Sequence, residues 1–92
     1  MKHVQIEMLS ETINCPVVCV PGRRFPGVVI QGDSLKILLD HAQEIEELAT
    51  QCQNEELNSA VAHLKLILSG YVEEYETTMK ANGRDLPYPK PN

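Results

Sequence analysis

Residues 16–34 read PVVCVPGRRFPGVVIQGDS. Two valine-rich runs, 16–20 and 28–31, flank a loop with two prolines, two glycines and the adjacent Arg23 and Arg24. Branched apolar residues suit a pleated, half-buried surface, and a glycine-bearing loop between two such runs reads as an antiparallel hairpin. Pro26 stands at the entry of the second run, where its missing N–H does least harm to a ladder. Asp33 then serves as the expected N-cap of a helix starting at Ser34 or Leu35. Within these nineteen residues the pattern passes from strand to helix, and that passage sets the fold class.

Upstream, Val4, Ile6 and Met8 alternate with Gln5 and Glu7, which predicts a strand over residues 4–9 and a connection over 10–15. Downstream, Leu35, Leu38, Ala42, Ile45 and Ala49 recur at helical spacing, with Leu39 and Leu48 widening the stripe. Gln51-Cys52-Gln53 breaks the pattern, and Asn54 caps a second helix. Its stripe is Leu57, Val61, Leu64, Leu68, Tyr71 and Tyr75, flanked by Ala60, Ile67 and Val72. So short a break makes the helices antiparallel neighbours. Gly83 is a C-cap, and NGRDLPYPKPN forms an extended tail, laid on the surface or loose.

The expected architecture is α+β: a small antiparallel three-stranded sheet (β-β-β), then a two-helix antiparallel hairpin packed on one face. Residues 1–80 form the single domain and 81–92 the Pro-rich tail. At 1.5 Å per residue the helices span about 25 Å and about 39 Å, so Tyr71, Val72 and Tyr75 are expected to overhang and form a dimer or partner interface. The strands over 17–20 and 28–30 are apolar on both faces, whereas two helices cover one. A homodimer is the simplest cover, and packing of the tail is the competing one.

Ninety-two residues make one domain, with a radius of gyration of about 12 Å and roughly 60–65% of the unfolded surface buried. An apolar fraction of 42% and a mean hydropathy of −0.23 belong to globular chains, not disordered ones. No run reaches membrane-spanning length, and MKHVQIEML lacks a signal peptide's apolar region and cleavage site; a cytoplasmic protein is expected. Cys15 and Cys19, about 13 Å apart on an extended strand, cannot bond to each other. With Cys52 they read as reduced thiols, mostly small buried hydrophobes. The net charge of −5 is uneven: zero over residues 1–33, −6 over 34–80 and +1 over 81–92. An acidic helical half repels nucleic acid and favours a basic partner, although acids also simply keep a small domain soluble.

Catalytic constellations are not evident. Gln31-Gly32-Asp33-Ser34-Leu35 has a serine at a strand-to-helix turn, but it lacks the second glycine of a nucleophile elbow, so Asp33 and Ser34 read as capping residues. His41 and His63 lie eleven residues either side of Cys52, with no third ligand to complete a zinc set; they and His3 read as surface histidines. Glu46/Glu47, Glu55/Glu56 and Glu73/Glu74 are adjacent in sequence, diverge around their helices and read as solvated. No enzyme, cofactor or metal is expected. The remaining candidate is the loop: Arg23 and Arg24 offer bidentate donors to a carboxylate or phosphate, Phe25 can stack, and Asp33 begins the adjoining helix. The plainer reading has the arginines paired with the acidic helices or a neighbouring subunit.

The segment PGRRFPGVVIQGDSL, residues 21–35, resembles a stretch shared by small bacterial proteins of a domain-of-unknown-function family. The resemblance implies a bacterial single-domain protein with no assigned activity, and it carries over no catalytic residues. The function expected is therefore non-enzymatic interaction, with itself or with a basic toxin-like protein, most concretely as an immunity-type protein neutralising a toxin domain. The alternatives are an anion- or ligand-binding module built on PGRRFPG, or an accessory subunit of a larger enzyme. Nucleic acid and membrane are not expected partners.

Overall fold

The computed structural model describes residues 2–11 and 14–90. The chain divides into two compact units, Met1–Gln31 and Gly32–Asn92. The first is an antiparallel sheet in the order β1-β2-β3 and the second a pair of helices packed on each other, so the fold is α+β as expected.

In the sheet unit, β1 is Glu7–Met8, β2 is Val17–Cys19 and β3 is Gly27–Val28. Glu7 pairs with Cys19 and Met8 with Val18, while Val17 pairs with Val28 and Val18 with Gly27. The strands are shorter than the sequence predicts, and local chemistry accounts for it. Pro16, Pro21 and Pro26 bracket β2 and precede β3, and none can donate to a ladder. Ser10 ends the β1–β2 pairing, because its Oγ takes the Val17 N–H at 2.9 Å. Val4 and Ile6, expected in the first strand, lie outside it and exposed. Val18 on the central strand is buried.

In the helical unit, α1 is Gly32–Ala49, followed by a 3₁₀ turn, Thr50–Cys52. Gln53 then takes a left-handed conformation (φ 38°), which reverses the chain into α2, Glu55–Ala81. Asn54 caps α2 as expected, its Oδ1 accepting the Leu57 N–H at 3.0 Å. The far end closes with a Schellman arrangement: Gly83 (φ 65°) donates to the Lys80 carbonyl and Arg84 to that of Met79.

The start of α1 corrects the sequence reading. The helix begins at Gly32, so Asp33 is inside its first turn and not the N-cap; its Oδ1 accepts the Ser34 N–H at 2.8 Å. A carboxylate there still complements the positive end of the helix. The helix can start early because Gly32 has no side chain and the Tyr75 ring of α2 occupies the space above it.

That contact also sets which residues face each other. The buried and half-buried row of α1 is Leu35, Leu39, Ala42, Glu46 and Ala49; that of α2 is Asn58, Val61, Lys65, Leu68, Val72, Tyr75 and Met79. Both repeat at three and four residues, as an antiparallel coiled-coil seam requires. Four of the five buried apolar residues, Ala42, Ala49, Val61 and Val72, lie in it. Lys65 and Glu46 bridge the seam at 2.8 Å, each about one-third exposed, so their pairing adds geometry more than stability. Leu38, Ile45, Leu57, Leu64 and Tyr71, expected in the seam, are exposed.

Candidate contact site

The PGRRFPG loop is built by its punctuating residues. Arg23 N–H donates to the Val20 carbonyl at 3.0 Å, and Gly22 has φ 84°, so Pro21-Gly22 occupy the centre of a type II turn. That φ makes glycine the fitting residue at position 22. Pro26 stiffens the return into β3.

Between these fixed points the side chains point outward. Arg24 Cζ lies 5.2 Å from the centre of the Phe25 ring, a cation–π distance, and Phe25 is 72% exposed. The loop surrounds an open concavity of about 440 Å³ lined by Val20 and residues 22–27. Neither guanidinium is ion-paired among the described residues; the ion pairs found there are Lys36–Asp40 and Lys65–Glu46. Asp33, the fourth candidate contact residue, belongs to the helical unit and is engaged with its own helix.

The expected overhang at Tyr71, Val72 and Tyr75 needs correction. Val72 is 5% exposed in the seam, Tyr75 covers Gly32, and of the three only Tyr71 stands free. Because α1 begins earlier than the sequence predicts, its first turn reaches the level of Tyr75. The thiols differ too: Cys15 and Cys52 are exposed and Cys19 is half-buried, against an expectation of buried side chains. His3, His41 and His63 are exposed, and among the described residues no three His, Cys, Asp or Glu side chains are grouped to hold a metal ion. Glu46 departs from the solvated reading through its cross-seam pairing, whereas Glu47, Glu55, Glu56, Glu73 and Glu74 are exposed. No helix among the described residues is long and apolar enough to cross a membrane.

One contact had no local signal in the sequence. The tail is anchored: Tyr88 O–H donates to Glu76 Oε2 at 2.8 Å, and the Lys36 ammonium lies 5.7 Å from the ring centre. The prolines on either side of Tyr88 stiffen the segment, but the partners lie 12 and 52 residues away in sequence. Burial pushes the Tyr88 phenol above the usual tyrosine value of about 10, and the Glu76 carboxylate pushes it further by accepting its proton and repelling the phenolate. Tyr75 and Asp40 add in the same direction. The folded chain thus holds a proton that the unfolded chain releases, so this contact stabilises below about pH 10 and is lost as pH rises beyond it. In an absorbance titration at 295 nm, one of the three tyrosines should ionise late, and Tyr88→Phe should remove that late phase. A late phase that survives Tyr88→Phe would assign it elsewhere.

No curated protein and no solved structure matches the chain. A family match does exist, and it covers nearly the whole chain instead of the fifteen residues of the loop and helix start. With residues 1–88 matched, the chain belongs to DUF6959, a family of unknown function.

Proposed function

We propose that this chain is a non-enzymatic interaction protein whose contact element is the PGRRFPG loop. The observation that carries this reading is the pairing of an exposed Phe25 with Arg24 stacked on it, beside Arg23, in a proline-braced loop where neither arginine has an ion-pair partner among the described residues. Arginine and aromatic side chains supply most of the binding energy in many interfaces. A loop stiffened in advance loses little entropy on binding. Two guanidinium groups call for carboxylate or phosphate on the partner's surface.

The immunity-type version of this reading draws on the helical half instead, whose balance of −6 over residues 34–80 would complement a basic toxin domain. A second reading, anion binding within the loop itself, is favoured by the arginine-lined concavity of about 440 Å³.

Arg23→Ala/Arg24→Ala tests the loop. A partner that co-purifies stoichiometrically with the tagged wild-type chain should be lost at least tenfold with the variant, while thermal melting stays within about 2 °C. Retention of the partner by the variant would rule the loop out as the contact. A sharp fall in melting temperature would make the arginines structural. Saturable binding of inorganic phosphate to the wild type, abolished in the variant, would select the anion reading.

A further inference from the structure

The helical hairpin has two unlike ends. At one, residues 50–54 join α1 to α2, and the chain itself keeps the helices together. At the other, the start of α1 and the end of α2 have no covalent link. Helix ends held by few contacts are the first parts of a fold to open. The Tyr75 ring above Gly32 is one contact that closes this end.

The tail supplies another, and it touches both helices. After the left-handed Gly83 the chain turns back along α2. Twelve residues of continued helix would put Tyr88 about 18 Å beyond Glu76, yet its hydroxyl donates to that carboxylate at 2.8 Å. The same ring lies 5.7 Å from the Lys36 ammonium of α1. Lys36 is paired with Asp40 one turn further on, so the cation over the ring is steadied from its own helix. Leu86 and Tyr88 are half-buried, whereas Pro87 and Pro89 are exposed. That alternation belongs to an extended segment with one side packed. The prolines restrict the segment before it docks, which lowers the entropy that docking costs.

We propose that residues 84–90 are a strap that locks the open end of the hairpin, with Tyr88 as its fastening. The two contacts act on different helices. The hydrogen bond ties the strap to α2, and the ring beneath the Lys36 ammonium carries the hold across to α1. When Tyr88 lets go, the first turns of α1 open together with the tail. Three residues separate β3 from α1, so the state of the strap sets how much irregular chain joins the two units. The proposal is independent of the loop reading, since the strap and everything it touches lie in the helical unit.

Amide hydrogen exchange of the full chain, followed by nuclear magnetic resonance, tests it with Tyr88→Ala and Tyr88→Phe. In Tyr88→Ala, exchange at residues 38–42 of α1 and 77–81 of α2 should quicken about tenfold or more. Residues 46–49 and 61–65, beside the joined end, should keep their wild-type rates. Tyr88→Phe keeps the ring beneath Lys36 and loses the bond to Glu76, so it should quicken the same residues about threefold. If Tyr88→Ala does not fold, Tyr88→Phe is judged by the same comparison. Unchanged exchange at residues 38–42 overturns the proposal. If residues 77–81 quicken alone, the tail is only a cap on its own helix. Equal quickening at both ends also overturns it, since Tyr88 would then belong to one cooperative core.

Discussion

Val72→Asp is expected to unfold the helical hairpin at room temperature. Val72 is 5% exposed in the α1–α2 seam, and among the described residues only five apolar side chains are buried. With so small a core, the stability of 92 residues should be near the low end of the usual range, roughly 5 kcal/mol. A buried carboxylate without a partner costs about 3–5 kcal/mol. Position 72 offers none: one turn away along α2 are Leu68 and Glu76, and the Lys36 and Lys65 ammonium groups are already paired with Asp40 and Glu46. Thr77→Asp introduces the same charge at an exposed site of α2 and should leave the melt unchanged within about 2 °C. Far-ultraviolet circular dichroism reads both. Full helicity in Val72→Asp would mean that the seam lies on another face of α2.

Gly32→Ala is expected to lower the melting temperature by roughly 5–10 °C, against the ordinary trend for this substitution. In a helix, alanine is normally better than glycine by up to about 1 kcal/mol. Here an added Cβ would overlap the Tyr75 ring, and the ring must swing away from the start of α1. Losing that packing costs about 1–3 kcal/mol, so the steric effect outweighs the propensity gain. A double-mutant cycle separates the two. In a Tyr75→Ala background the clash is gone, and Gly32→Ala should become neutral or stabilising. If it stabilises in both backgrounds, Tyr75 does not rest on Gly32 in solution.

The kinds and order of elements were legible in the sequence because their causes are local. Pro16, Pro21 and Pro26 mark out the strands, Pro21-Gly22 requires its turn, Asn54 caps α2, and Gly83 ends it with a left-handed residue. Three- and four-residue periodicity identified both helices. The exposure of Arg24 and Phe25 follows from the same short segment, since a loop of seven residues with a fixed turn at one end leaves them little else to pack on within it.

Periodicity did not choose between neighbouring rows. Leu38 and Leu39, Leu57 and Asn58, Leu64 and Lys65 offer α1 and α2 two adjoining rows, and the buried one is the row that carries Glu46, Asn58 and Lys65. The choice falls to contacts between residues far apart in the chain: Tyr75 above Gly32, and Lys65 reaching Glu46. The same holds for the tail, where composition indicates only an extended segment and Tyr88 finds Glu76 and Lys36 across the hairpin. Sequence alone therefore determined the α+β class, the turn that presents the arginines and the ends of α2, all products of backbone conformation within a few residues. Tertiary structure alone decided which apolar row is buried and which faces outward, because that depends on the shape of the helix on the other side.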